Sequence, residues 1–203
     1  KNFSKFIANM AKIITKIVEV FQWVGAGLML AATVCALVNP DWIGYFIGFD
    51  ACESCGAKLS VYGFEIQAAV TNGQVDMTAL FLFGIGATLI LGLMAMIFRN
   101  LHLIIKKSEG TTPFQHDNVR MFREIGIFSI AVPVVGFVMS VIARIVIGVE
   151  NAEIYNGFEG FVIGIVVLCI TQFFAQGIEL EKDVDGLLKE AAMGKIVLRL
   201  DRM

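Results

Sequence analysis

The chain has 203 residues, of which 57% are hydrophobic and 17% charged, with a formal net charge of -2 and a mean hydropathy of +0.77. Soluble domains contain about 45–50% apolar and about 25% charged residues, so these figures exclude an ordinary soluble domain and indicate an integral membrane protein. The net charge does not indicate nucleic-acid binding, because the charges are sorted by segment, and that sorting is informative for a membrane protein.

The first part of the chain combines an amphipathic segment with an apolar span. This pattern predicts an interfacial helix on the inner leaflet. The apolar face of this helix consists of Phe3, Phe6, Ile7, Met10, Ile13, Ile14 and Ile17. The opposite, basic face carries Lys5, Lys12 and Lys16. The apolar run of residues 20–38 follows and is long enough to cross a hydrocarbon core. No small-x-small cleavage site follows it before Asn39-Pro40, so we expect it to stay in the mature protein rather than to be removed as a signal peptide.

The outer loop of residues 39–76 is predicted to fold as a small cap over the helices. Residues on both sides of Gly63 alternate between apolar and polar types, as in a short β-hairpin. Cys52 and Cys55 form a CxxC pair, and thiols so close together outside the cytoplasm usually form a disulfide, either structural or redox-active. A zinc site is less favoured, because this pair supplies only two ligands and no histidine lies in the outer loops.

Three further apolar runs meet the length of about 20 helical residues that a membrane span requires: residues 77–98, 125–143 and 161–178. None of them shows the period-2 alternation of a barrel strand, so helices are predicted. The fold class is therefore an all-α membrane protein with four transmembrane helices, an N-terminal interfacial helix and an extracytoplasmic cap with a short β-hairpin. Residues 1–188 form the membrane domain, with an inner loop of residues 99–124, and residues 189–203 form a tail.

The distribution of Lys and Arg predicts the orientation of the spans. Four precede the first span, one lies in the first loop, five lie in the second loop, none lies between residues 145 and 160, and five lie in the tail. By the positive-inside rule both termini and the second loop are expected to face the cytoplasm. The outer loops are acidic, which either reflects the exclusion of basic residues or provides a surface for cations or a cationic peptide ligand.

Few charged residues lie within the spans. Arg144, near the outer end of the third span, is expected to anchor it by snorkelling or by pairing with Glu150 or Glu153, although such a charge is also a candidate functional residue. No predicted span carries an Asp or Glu near its middle, which argues against an ion-coupled pump. The chain contains no phosphate-binding loop, zinc-protease motif or nucleophile elbow. We therefore predict no catalytic residue, cofactor or metal.

The inner loop ends in residues that suit the start of a helix. Thr112 is a good N-cap, Pro113 suits the first helical position, and Arg120 and Glu124 are spaced for an ion pair across one turn. These features predict a capped helix entrance that projects into the cytoplasm.

The same region carries a resemblance. Its motif residues are Thr112-Pro113-Phe114, Asn118-Val119-Arg120, Arg123 and Ile125-Gly126, followed at the end of the fourth span by the run from Phe173 to Leu187. Together they resemble a widespread bacterial family of uncharacterised four-helix membrane proteins, over roughly residues 10–188. The second motif departs from the family at Gly186-Leu187, where a Thr-Val pair is usual.

The resemblance also implies a partner. Members of this family are commonly encoded beside a small helix-turn-helix regulator of the xenobiotic-response-element type, and residues 193–203 resemble the opening of such a regulator. The regulator is expected to be fused to this chain or separate from it. The alternative is that these residues form only an amphipathic tail.

The favoured function is that of a sensor or anti-repressor that controls this regulator. The predicted coupling element is a clasp at the inner rim, in which Arg120 or Arg123 contacts Glu179, Glu181 or Asp183. Such exposed ion pairs are each worth only about 0–1 kcal/mol, so several would have to form or break together.

Two other functions stay open. One is an immunity-type or peptide-handling membrane protein. The other is a thiol oxidoreductase, because four helices with an outer CxxC resemble the disulfide-generating quinone reductases. Those enzymes use a second outer cysteine pair, whereas Cys35 and Cys169 of this chain lie within spans.

Overall fold

The computed structural model of the chain describes residues 2–38, 54–71, 74–108 and 116–200. The described residues contain four long helices: α1 (Asn2–Val38), α2 (Met77–Lys107), α3 (His116–Ile147) and α4 (Glu159–Leu200). All four are long and apolar enough to cross a membrane. Three strands lie between α1 and α2: β1 (Ser54–Val61), β2 (Phe64–Thr71) and β3 (Gln74–Val75). The predicted four-helix membrane fold with a hairpin is confirmed.

The helices pack in chain order. Among the described residues the extensive helix contacts are α1 with α2, α2 with α3, and α3 with α4. This arrangement is an open row rather than a closed bundle, so one side of the row remains available to other parts of the chain. The strands occupy that side and lie against α2 and α3.

The amphipathic N-terminal segment and the first span form one helix. The ring Nδ1 of His102 lies 3.1 Å from the carbonyl oxygen of Lys12, and near the other end Thr33 lies against Gly84. The helix therefore runs antiparallel along α2 from residue 12 onward. No turn separates the predicted interfacial helix from the first span within residues 2–38, and no Gly or Pro interrupts the first 24 residues.

The hairpin has a regular antiparallel register, from Ser54 opposite Thr71 to Val61 opposite Phe64. Its two-residue turn is Tyr62-Gly63, with φ of 45° and 84°, as a type I′ turn requires. The short β3 pairs with the other edge of β2. Phe64, Ile66 and Ala68 alternate along β2 and are buried, so this face of the hairpin belongs to the core.

The position of the hairpin differs from that of a cap over the helix ends. The ring of Phe64 stacks on Phe83 with centroids 5.8 Å apart and fills the space beside Gly86. Gly86 lies nine residues inside α2, about 14 Å from its start at the helical rise. The hairpin thus extends down the helices, and the absence of a side chain at Gly86 allows this close approach.

The segment after α3 also turns back along the helices. The amide of Gln67 donates to the carbonyl oxygen of Asn151 at 2.8 Å, and an antiparallel bridge joins Ile66 to Ala152. This extended segment follows β2 towards the hairpin turn, where Gly157 lies beside Gly63. Consequently α4 begins beside the middle of α3 rather than at its outer end.

Candidate functional site

A cavity of about 640 Å³ lies between the hairpin turn and the start of α4. Four structural elements and the connecting segment meet there. The lining residues are Tyr62, Gly63, Met94, Ile97, Phe98, Ser129, Val132, Tyr155, Asn156, Gly157, Glu159, Gly160 and Ile163. A mainly apolar wall with a few polar groups is typical of a small-molecule site.

The start of α4 supplies the acidic group of this cavity. A Cβ atom on Gly160 would lie 2.9 Å from the carbonyl oxygen of Ser129 and 3.2 Å from the ring of Pro133, which places Glu159 level with the middle of α3. Among the described side chains Glu159 forms no ion pair, so its carboxylate is available to a cationic group.

Tyr155 holds the segment that leads into α4. Its side chain is 2% exposed and occupies the space beside Gly136. Its hydroxyl donates to the carbonyl oxygen of Gly157 at 3.0 Å, and Phe158 packs edge-on against its ring at 5.8 Å. These contacts fix the path of residues 155–158 and thereby the position of Glu159.

The hairpin turn is tied to α1 by a polar contact. Gln22 Nε2 donates to the hydroxyl oxygen of Tyr62. Gln22 is 9% exposed, and its Oε1 is buried without a hydrogen-bond partner among the described residues. A buried amide is costly unless it is paired, so this contact fixes the turn at one depth along α1.

Gln22 continues a polar face along the middle of α1. Thr15 and Glu19 are buried on the same face, and Lys16 pairs with Glu19 at 3.0 Å. The candidate span of α1 runs from Phe6 to Val38, 33 residues, which is longer than the roughly 20 helical residues that a hydrocarbon core requires, and Glu19 immediately precedes the predicted span of residues 20–38. The expectation that no span carries a carboxylate near its middle therefore stays a prediction. The spacing of residues 15, 19 and 22 on the helix could have revealed this polar face.

The outward face of the hairpin carries a charged group. Lys58 Nζ lies 2.6 Å from Glu65 Oε2 and 3.4 Å from Glu153 Oε1. The hydrogen bond from Lys58 lowers the pKa of Glu65, and the hydrogen bonds to Glu65 and Glu153 raise the pKa of Lys58. Charged groups are costly in hydrocarbon, so this face of the hairpin is in contact with water or protein rather than lipid tails.

A second polar site lies at the other end of α2 and α3. Asn100 is 5% exposed and donates from Nδ2 to Glu124 Oε2 at 3.0 Å. Arg120 Nε donates to Glu124 Oε1 at 3.0 Å, and Lys107 pairs with Asp117 at 2.8 Å. These groups line a cavity of about 470 Å³, and they join the ends of the two helices.

The structure gives several predicted motif residues a packing role. Asn118 is fully buried, and its Nδ2 donates to Ser108 Oγ at 3.4 Å. Gly126 is buried where α3 approaches α4, whereas Arg123 is exposed. Arg120 forms the expected pair with Glu124. Thr112, Pro113 and Phe114 lie outside the described residues.

The other predicted residues are not brought together. Glu179, Glu181 and Asp183 are exposed on α4, and no ion pair among the described side chains joins them to Arg120 or Arg123. Half-buried Arg144 lines a shallow apolar pocket, and Glu153 pairs with Lys58 rather than with Arg144. Cys55 lies on β1, whereas Cys52 is outside the described residues, so the disulfide stays a prediction.

Comparison of the chain with protein-family models, with curated proteins and with solved structures gave no match. The resemblance in the motif residues therefore stays a prediction. The function must be argued from the geometry of the sites themselves.

Proposed function

We propose that this protein is a membrane sensor that controls a helix-turn-helix transcription regulator through the cytoplasmic part of α4. In this proposal the cavity beside Glu159 receives the signal molecule, and α4 transmits its presence. The observation that carries the proposal is the continuity of α4, a single helix of 42 residues from Glu159 to Leu200.

The first residues of α4 line the cavity. Glu159, Gly160 and Ile163 belong to its wall, so a molecule that enters must contact the start of this helix. At the helical rise, 42 residues extend about 63 Å, which is longer than the whole thickness of a bilayer with its headgroups at about 40–45 Å. A displacement of the cavity end of α4, at Glu159, would therefore also move its far end, at Leu200.

The chemistry of the cavity favours an amphiphilic cation. Its walls are mainly apolar, and Glu159 supplies a carboxylate without an ion-pair partner among the described side chains. A ligand with an apolar body and an ammonium group would satisfy both. This ligand class includes the cationic peptides suggested by the acidic outer loops.

The distribution of basic residues supports the direction of transmission. In the proposed orientation the termini and the segment between α2 and α3 face the cytoplasm of a bacterial cell. The far end of α4 then enters the cytoplasm, where its last residues resemble the opening of a helix-turn-helix regulator. The regulator is either fused to α4 or a separate partner.

Orientation can be measured with single cysteines and a maleimide that does not cross membranes. In intact cells we expect Glu150→Cys to react and His116→Cys to react only after the membrane is opened. The opposite labelling pattern would place α4's far end outside the cytoplasm and remove the proposal.

Function can be measured by transcript profiling in the host bacterium. Deletion of the gene should change transcription of the genes under the partner regulator, and so should removal of residues 189–203. Glu159→Gln should abolish the response to an amphiphilic amine without changing the amount of protein in the membrane. Glu150→Gln is the matched control, because Glu150 is exposed and does not line the cavity. Unchanged transcription in the deletion strain, with and without the amine, would exclude the regulatory function.

A further inference from the structure

An apolar stripe runs along the side of α4 that faces away from α3. Its members are spaced alternately by four and three residues: Val166, Ile170, Phe173, Gly177, Leu180, Val184 and Leu187. The six large side chains are between 41% and 71% exposed. Such spacing over three heptads is the pattern of a coiled-coil seam.

The opposite side of α4 is already occupied by α3. Gly164 contacts Gly126 and Ile130, and the ring of Phe174 stacks on Phe122 at 5.2 Å. Ile178 is 5% exposed. The stripe is therefore a second, separate face of the same helix.

Lipid can cover only part of this stripe. The helices α3 and α4 are antiparallel, and Phe122, six residues after the start of α3, lies beside Phe174. The residue of α4 that is level with the start of α3 is therefore about six positions after Phe174, near residue 180. Four of the five residues from 179 to 183 are charged: Glu179, Glu181, Lys182 and Asp183. Charges at this density do not lie in hydrocarbon. Leu180, Val184 and Leu187 are consequently exposed apolar groups in an aqueous region, which is a mark of an interaction surface.

We propose that a second copy of this chain covers the stripe, so that two α4 helices form a parallel two-stranded coiled coil that continues from the membrane into the cytoplasm. Two copies inserted in the same orientation present their α4 helices in parallel, and each residue of the seam then meets itself. The proposal concerns α4 alone and does not depend on the sensor function.

The residue types favour two strands. With Ile170 at heptad position a, the other a positions are Gly177 and Val184, and the d positions are Val166, Phe173, Leu180 and Leu187. Branched residues at a with Leu at d favour parallel dimers over larger assemblies. Gly177 permits close approach of the two helices where the charged region begins.

The flanking residues are compatible with this register. In a parallel pair each g position lies near the e position five residues later on the other helix. Gln176 at g would then face Glu181 of the second copy, an amide beside a carboxylate. This position brings no like charges together.

The test is disulfide cross-linking of the full chain in membranes, after the native cysteines are replaced by Ser. We expect Leu187→Cys at a d position to give a product of twice the chain mass, several-fold more than Lys182→Cys at the outward f position. Adding Val184→Asp to the Leu187→Cys chain should reduce the product several-fold. Equal cross-linking of the two single variants, or a product with another protein's mass, would overturn the proposal.

A second measurement does not require the cysteine-free background. Two differently tagged copies of the unmodified chain, expressed together and extracted in mild detergent, should co-purify, and Leu180→Glu with Leu187→Glu should reduce recovery several-fold. These substitutions leave the face that contacts α3 unchanged. Failure of the unmodified copies to co-purify would overturn the proposal even if the cysteine variants did not fold.

Discussion

Gly126 and Gly164 face each other at a close approach of α3 and α4. A Cβ atom on Gly164 would lie 2.9 Å from the carbonyl oxygen of Gly126, and one on Gly126 would lie 3.2 Å from the carbonyl oxygen of Gly164. Backbone atoms cannot move aside as a flexible side chain can. This close contact explains why both positions are glycine, and it holds the start of α4 beside the cavity.

Gly164→Ala is expected to loosen α4 from α3. Overpacking costs about 1–3 kcal/mol, which exceeds the gain of about 1 kcal/mol in helix propensity from Gly to Ala. The measurement is thermal unfolding of the purified protein in detergent micelles. Gly92→Ala is the matched control, because a Cβ there meets nothing within 4 Å, and it should leave the melting temperature unchanged or raise it. Equal effects of the two substitutions would contradict the close contact.

Tyr62→Phe should destabilise the protein more than Gln22→Leu. The first change leaves the buried amide of Gln22 without its partner, whereas the second leaves a hydroxyl on a residue that is 43% exposed and can bond to water. Interhelical hydrogen bonds in membrane proteins are worth about 0.6 kcal/mol on average and at most about 1.7, so the difference should lie in that range. A double-mutant cycle of unfolding free energies measures the coupling. Additive effects of the two changes would show that the contact is not formed.

Glu124 and Arg120 form one ion pair, but their substitutions should have different costs. Glu124→Ala leaves the buried amide of Asn100 unpaired, at about 1–3 kcal/mol. Arg120→Ala should cost only about 0–1 kcal/mol, because its side chain is 79% exposed. Unfolding of both variants in the same detergent gives the comparison, and a larger effect for Arg120→Ala would contradict it.

The group formed by Lys58, Glu65 and Glu153 should make hairpin docking weaken in acid. The pKa of Glu65 in the folded protein lies below its ordinary value of 4.5, so its stabilising contribution is present above that value and is lost as the pH falls through the lower, folded pKa. The pKa of Lys58 is raised from 10.5, so its contribution is present below that value and is lost as the pH rises through the higher, folded pKa.

This dependence can be measured as the melting temperature of the protein in nanodiscs between pH 7 and pH 3. We expect the decrease in acid to be smaller in Lys58→Met than in the unmodified chain, because the variant has no cation beside Glu65. Lys106→Met is the control at an exposed lysine outside this group. The same acid response in all three proteins would contradict the assignment.

The amino-acid sequence by itself determined the class of fold, because its signals are local. A span requires about 20 consecutive apolar residues, and the four runs meet this condition wherever the helices lie. The hairpin is likewise specified by its alternation and by the Tyr62-Gly63 turn. Even the pair of Arg120 and Glu124 follows from spacing within one helix.

Only the tertiary structure decided where these elements meet. The hairpin descends along the helices because Gly86 leaves space for Phe64, and the segment before α4 descends because Gly136 leaves space for Tyr155. Each contact joins residues far apart in the chain, and a glycine in an apolar run gives no indication of which aromatic ring will occupy the space beside it. The cavity at Glu159 exists only because these contacts form together, so no single segment of the sequence could predict it.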